Sequence, residues 1–432
     1  MPSNDCADER VTDRVVVTGG HELSGTVTVG GAKNSVLKLM AATLMAPGRF
    51  ELSNVPAISD VSTMSALLAT MGGASHHPGG DISRLVIDSP DEPFPEAPFE
   101  QAEAIRASIS VLGPLLARCG RARVPLPGGD NFGTRPVDIH LRGLAALGAE
   151  IELVDSVLVA DATSGLRGAR ITLDFPSVGA TENIVMAAVG AKGTSVLDNV
   201  AREPEIVDLC NMLNGMGAQI EGVGSATLTV HGVPTPDLHA VSHRVVPDRL
   251  EVATFLAAVA VAGGEVTIND AWSPHMELFL EKLRLMGLHV TDVGNAVWVR
   301  SDRLLRSLDF ATLPYPGIAT DYKPLIVVML SLANGTGIVT ENLYAGRFRY
   351  VDELEAMGAD IRVDGHHAVV RSVEGLRGAD VTAHDIRAGA CLVVAGLAAK
   401  GVTRIANPWH IDRGYGGLVA KLAALGAVIA RV

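Results

Sequence analysis

Cysteine is scarce in this chain: Cys6, Cys119, Cys210 and Cys391 stand far apart, with no CxxC pair and no His/Cys spacing typical of zinc. That excludes a disulfide framework and makes a reduced, cytoplasmic protein the expectation. Aromatic residues are only 4% of the sequence while alanine and glycine abound, which suits tightly packed small helices. A net charge of −13 removes the basic surface that nucleic acid or an anionic membrane would need. Neither is expected as a partner, and any anion must be held by a local cluster. The longest apolar run, near Ala253 to Ala262, is only about half of the roughly 20 residues that span a bilayer and should be a buried helix. The polar, acidic start, MPSNDCADERVTDR, does not read as a secretion signal. There is no Walker A sequence, no GxGxxG after a strand and no HExxH, so nucleotide hydrolysis, nicotinamide chemistry and zinc proteolysis have no support.

What is present is repetition. A phrase of leucine or methionine, glycine and alternating apolar residues recurs as LLATMGGAS, LAALGAEIEL, LNGMGAQIEG, LRLMGLHVTD, LEAMGADIRV and LAALGAVIAR. Its glycines are Gly72, Gly148, Gly217, Gly287, Gly358 and Gly426, spaced 68 to 76 residues apart. Each phrase predicts a helix stopped by a C-cap glycine and followed at once by a strand. A second series, Gly48, Gly120, Gly193, Gly264, Gly335 and Gly401, runs in step, each after an alanine-rich stretch and before a β-prone run. One unit is therefore strand, helix, strand, helix, strand, strand. A chain of 432 residues is too long for one core, and six such units suggest two domains of three units each.

The first helix of each unit is almost wholly apolar, so its N-terminal residues carry the information. These starts read GGAKN (Lys33, Asn34), AIRAS (Arg106), GATEN (Glu182, Asn183), VPDRLE (Asp248, Arg249), ATDYK (Asp321, Lys323) and AHDIR (Asp385, Arg387). Helix N-termini offer free N–H groups and partial positive charge, which favour phosphate and carboxylate. Any one charged first-turn residue is as readily an ordinary solvated cap. Several of them opening apolar helices, in an acidic protein, point to an anion site. Two loops after strands add LYAGRFRYVDE (Arg347, Arg349) and HIDRGYGG (His410, Asp412, Arg413), where a glycine-flanked arginine suits bidentate contact.

Taken together, GGAKNSVLKLMAATL, RASISVLGPL, LPGGDNFGTRPVDIH, FPSVGATENI, AREPEIVDL, DIRAGA and HIDRGY resemble the enolpyruvyl transferase family over nearly the whole chain after about residue 14. The resemblance implies a two-domain inside-out α/β barrel with three βαβαββ repeats per domain. Its domains would be residues 1–32 plus 245–432, and residues 33–244 with a mobile loop over 120–135. It implies transfer of the enolpyruvyl group of phosphoenolpyruvate to a hydroxyl of a uridine nucleotide, with release of phosphate and no metal or organic cofactor. Asp130, Asp321, Lys33 and Arg413 would be catalytic, Asp130 as the loop acid and Asp321 beside the acceptor hydroxyl. Phosphoenolpyruvate would be held by Lys33, Arg106, Arg135, Arg347, Arg387 and Arg413, with Arg106 supporting the closed state. The nucleotide would meet Asn34, Arg135, Pro136, Val137, Asp138, Ile139, Ser177, Val178, Gly179, Asp321 and Leu343, and Glu203 would support the sugar region. Nothing in the sequence calls for more than a monomer.

Many bacterial members carry cysteine at the loop tip; Asp130, as in actinobacterial members, implies that fosfomycin has no thiolate to alkylate. The acceptor side departs from the family pattern: Gly317 to Lys323 lacks the usual proline and glutamine, Tyr344-Ala345-Gly346 precedes Arg347, and Ser110 replaces an often larger residue. The acceptor implied first is the 3-hydroxyl of the sugar of UDP-N-acetylglucosamine. The alternative is the 3′-hydroxyl of UMP or a related uridine nucleotide in nucleoside antibiotic biosynthesis.

Overall fold

Six apolar stretches form buried helices: Lys33–Ala42, Leu112–Cys119, Val178–Val189, Arg249–Ala262, Lys323–Leu332 and Ile386–Ala398. They belong to a computed structural model that describes residues 13–128, 136–344 and 346–432. Every residue of Arg249–Ala262 is buried, which is why its sequence has no polar face. Each large apolar side chain so enclosed contributes about 1.5–3 kcal/mol. Six further helices, Ser59–Thr70, Asp138–Ala146, Pro204–Gly215, Glu277–Met286, Tyr350–Ala356 and Leu418–Ala424, bury one side only. In Glu277–Met286 that side is Phe279, Leu280, Leu283 and Met286, a helical spacing. The glycines of both series adopt φ between 66° and 115°, a region that costs a residue with a Cβ but not glycine. They stop the helices and turn the chain into strands.

The chain divides into two units, one comprising the segment up to Gly30 with Pro247–Val432 and the other Gly31–Val246. Each encloses its own hydrophobic core and carries three sheets, all mixed except one antiparallel sheet in the second unit. The fold is α/β throughout. In the first unit, Gly264–Asn269 runs parallel to Leu23–Thr28 and antiparallel to Ala296–Ser301. That register sets Val266 opposite Val299 and Ile268 opposite Val297, all four buried. Arg14–Thr18 lies between Val402–Ala406 and Val428–Arg431, antiparallel to both.

In the second unit, Ser242–Arg244 pairs parallel with Gly48–Ser53 and so joins the end of this unit to its beginning. One sheet has three strands, Arg121–Pro125, Val157–Asp161 and Glu150–Val154, with a single parallel bridge from Glu96 to Arg123 where a fourth would run. Pro93, Pro95 and Pro98 explain this, because each lacks the N–H that a strand ladder needs. Among the described residues, no helix is long and apolar enough to cross a membrane.

Candidate active site

In the first unit, the starts of the buried helices gather the charged residues. Thr320–Tyr322 forms a short 3-10 turn that leads into Lys323–Leu332 and presents Asp321. Asp321 bridges two buried guanidiniums, Arg347 Nη1 to Oδ1 at 2.7 Å and Arg387 Nε to Oδ2 at 3.3 Å. Arg387 opens its helix under the cap of Asp385, whose Oδ1 accepts from the Arg387 and Ala388 N–H groups at 2.8 and 2.9 Å. Its guanidinium lies 5.4 Å from the centroid of the Tyr415 ring, and Tyr415 Oη meets Thr254 Oγ1 at 2.9 Å. Arg413 follows the short helix Trp409–Asp412, and the next residue, Gly414, packs against Ile386 so closely that a Cβ there would lie 2.2 Å from Ile386 Cγ2. The Arg413 turn therefore sits beside the start of the Arg387 helix. Arg387 Nη1 is buried and has no hydrogen-bond partner among the described residues. An anionic oxygen would satisfy it, since buried donors are rarely left unpaired.

Behind these arginines Lys323, which the ATDYK helix start already marks, has a buried partner that no motif of the sequence names. Lys323 Nζ lies 2.9 Å from Glu341 Oε2, with both side chains fully enclosed. Burial pushes the Lys323 amine down to about 8, with Glu341 acting against it. Burial pushes the Glu341 carboxyl up, but Lys323 and the hydroxyls of Thr320 and Thr312 outweigh it, so it ends below its usual value. Leu343 enters the same network, its N–H donating to Glu341 Oε1 at 2.8 Å. An acid directly after the β-prone run GIVT was the available signal for Glu341.

In the second unit, Lys33 opens its helix and pairs with Asp60 at 2.8 Å, both nearly enclosed, while Asn34 beside it is half-buried. Ser35 donates to Asp208 at 2.5 Å, and Asp208 also takes the N–H of Val246 at 3.0 Å. One turn on, Lys38 pairs with Glu182 at 2.9 Å, whose carboxyl is pushed up by complete burial against the pull of Lys38. Ser177 caps Val178–Val189 by accepting from Ala180 N at 3.4 Å, so Ser177, Val178 and Gly179 form a true helix start.

Glu182 and Asn183 therefore lie in the second turn, which corrects the reading of GATEN as a first turn: the Ser177 cap moves the start upstream. Asn183 is instead a structural clamp. Its Oδ1 accepts from Gly113 N at 2.8 Å, while Nδ2 reaches Ile109 O at 3.0 Å and His140 Nδ1 at 3.0 Å. Gly113 is required there, because a Cβ would lie 2.3 Å from the Asn183 carbonyl oxygen.

Val137, Asp138 and Ile139 begin the helix Asp138–Ala146, with Pro136 just ahead. Arg142 ties Asp138 at 3.2 Å to Asp174 at 2.5 Å. His140 follows, and a Cβ on Gly179 would sit 3.1 Å from its Cε1, so the two helix starts touch. Burial, then Arg106 and Lys38, push the imidazole down to about 3, which makes His140 a neutral hydrogen-bonding group. Arg106 opens the 3-10 turn Arg106–Val111, and Glu203 precedes the helix Pro204–Gly215.

Asp130 and Arg135 lie outside the described residues. A cavity lined by Leu116, Gly120, Thr163, Lys192 and Pro234 occurs at the C-terminal ends of Leu112–Cys119 and Val178–Val189. The candidate residues are at the opposite ends of these helices, so this cavity is not counted with them.

The family model described as EPSP synthase (3-phosphoshikimate 1-carboxyvinyltransferase) matches residues 17–422. UDP-N-acetylglucosamine 1-carboxyvinyltransferase of Mycobacterium leprae is 50% identical over 422 residues, covering 98% of this chain and all of that protein. The protein of the same name from Nocardia farcinica is 50% identical over 426 residues, covering 98% and 99%. Among solved structures, the enolpyruvyl transferase NikO from Streptomyces tendae superposes with a TM-score of 0.88 at 26% identity, covering 98% of this chain and 99% of that one. EPSP synthase from Acinetobacter baumannii superposes at 0.75 with 17% identity, covering 98% and 100%, and speaks for the fold alone.

Proposed function

The chain belongs to the EPSP synthase (3-phosphoshikimate 1-carboxyvinyltransferase) family, and from that premise we propose that it transfers the enolpyruvyl group of phosphoenolpyruvate to the 3-hydroxyl of the N-acetylglucosamine of UDP-N-acetylglucosamine. The acceptor oxygen adds to C2 of phosphoenolpyruvate while C3 takes a proton. Loss of phosphate from C2 and of a proton from C3 then restores the double bond on the new ether. Two buried arginines sharing one aspartate, with Arg387 Nη1 unsatisfied, are the observation that carries the reading. Such a cluster suits a small, multiply charged anion, and fixed donors stabilise developing charge best where water is excluded.

In this reading Arg347, Arg387, Arg413, Lys33, Arg106 and Arg135 bind phosphoenolpyruvate. Asp130 is the acid for C3, and Asp321 receives the acceptor proton. Val137 to Ile139 and Val178 to Gly179 offer first-turn N–H groups of two touching helix starts to the nucleotide, with Ser177, Asn34, Pro136 and Leu343 completing its contacts. The two units are read as the domains of an inside-out α/β barrel, residues 1–32 plus 245–432 and residues 33–244, each a set of three βαβαββ repeats.

Half identity over the full length to proteins of one name favours UDP-N-acetylglucosamine. The altered run Gly317 to Lys323 and the Tyr344 segment favour a second acceptor, UMP. Phosphate release from phosphoenolpyruvate, followed in parallel with UDP-N-acetylglucosamine and with UMP, separates them. Turnover with the first, lost in Lys33→Ala, is expected. Turnover with UMP alone overturns the acceptor, and turnover with neither overturns the transferase reading.

A further inference from the structure

Lys323 is an odd occupant of its place. A cation at a helix start opposes the helix dipole, and a fully enclosed ammonium costs several kcal/mol in lost hydration. Its contacts account for it. The ammonium donates to the main-chain oxygen of Arg347 at 2.6 Å, pairs with Glu341 at 2.9 Å and lies 3.9 Å from the centroid of the Phe348 ring. Glu341 in turn holds the approach to Arg347, because its Oε1 accepts from Thr312 Oγ1, Leu343 N and Tyr344 N at 2.7, 2.8 and 3.1 Å. Its Oε2 accepts from Thr320 Oγ1 at 2.7 Å, and that hydroxyl accepts from Arg347 Nη1 at 3.1 Å. Arg347 is thus gripped at its backbone by Lys323 and at its guanidinium by Thr320 and Asp321.

We propose that Lys323 is a positioning residue for Arg347, acting with Glu341 to hold that guanidinium at the distance an anionic substrate requires. This rests on the reading of Arg347 as a phosphoenolpyruvate contact. Lys323 reaches no substrate itself, so its effect is on affinity more than on the chemical step. The charged groups facing it are Glu341, Arg347 and Asp385. Tyr350 and Cys391, in the same interior, are pushed well above their ordinary values by burial and remain neutral. Because burial brings the Lys323 amine down to about 8, mildly alkaline solution strips the proton and leaves Glu341 an enclosed carboxylate without its cation. The grip then loosens.

The test is KM for phosphoenolpyruvate and kcat for the full-length wild type, Lys323→Met and Glu341→Gln between pH 7 and 9.5. The wild type should show KM rising through about pH 8. Lys323→Met should raise KM about tenfold or more with kcat and the nucleotide KM little changed, because a misplaced guanidinium weakens the anion contact. Glu341→Gln keeps the size of the side chain but withdraws the charge that supports the ammonium, so its KM rise should move to lower pH. This variant decides the matter if Lys323→Met folds poorly. An unchanged pH profile in Glu341→Gln, or wild-type KM in a folded Lys323→Met, overturns the inference while leaving the transferase reading intact. No wild-type turnover of phosphoenolpyruvate overturns that reading and the inference with it.

Discussion

Replacing Asn183 by alanine removes one side chain that ties three site-bearing segments together. The 3-10 turn from Arg106 loses its contact at Ile109, the following helix loses the acceptor for Gly113 N, and the helix from Asp138 loses the partner of His140 Nδ1. Asn183 is completely buried. A buried polar group left without a partner costs about 1–3 kcal/mol, so three of them approach several kcal/mol. A water entering the space left behind would satisfy part of this and bring the loss to about 3–5 kcal/mol. At about 2–4 °C per kcal/mol for a unit of this size, the melting transition should fall by roughly 6–20 °C. Scanning calorimetry of the full chain reads this directly, and KM for the nucleotide should rise in parallel. A shift under about 2 °C, on the same scale, would refute the idea that Asn183 is a clamp.

Asp130→Asn should depress kcat at least tenfold if a carboxylic acid protonates C3, since general acid catalysis contributes about 10²–10⁴-fold. Wild-type turnover in that variant sinks the loop-acid role, and time-dependent inactivation of the wild type by fosfomycin would contradict the absence of a thiolate at this position. His140 sets a pH dependence of stability. Its folded value, about 3, lies below the unfolded value, so the unfolded chain takes up the proton first and stability is lost as pH falls from about 6.5 towards 3. Denaturant unfolding of wild type against His140→Gln should show a difference in slope of about 1.4 kcal/mol per pH unit between pH 6 and 4. Identical slopes would mean that the imidazole is not held neutral.

Much of this fold is legible in the sequence because its helix ends are chemically marked. Glycines such as Gly72 and Gly287 recur where only a positive φ can turn a helix into the next strand. The buried helices are equally plain, since Arg249–Ala262 has no residue pattern that water would tolerate. Asp321, Arg347 and Arg387 stand out as charges at the ends of apolar runs, and they do come together. What escapes the sequence is the partner of each buried charge. Asp60, Glu341 and Asp208 come from distant segments, and no local spacing links them to Lys33, Lys323 or Ser35. Asn183 misleads for a related reason: a cap at Ser177 shifts the helix start, and with it the face on which Asn183 lies. The missing fourth strand near Glu96 departs from the expected six equal units, and Pro93, Pro95 and Pro98 are the signal for it.

The most direct test of the central claim is the structure of the product formed from phosphoenolpyruvate and UDP-N-acetylglucosamine, determined by NMR after release of phosphate. A vinyl ether on the 3-oxygen of the N-acetylglucosamine ring is the predicted result. An unmodified sugar, with the vinyl ether formed on a ribose hydroxyl when UMP is supplied instead, would contradict it.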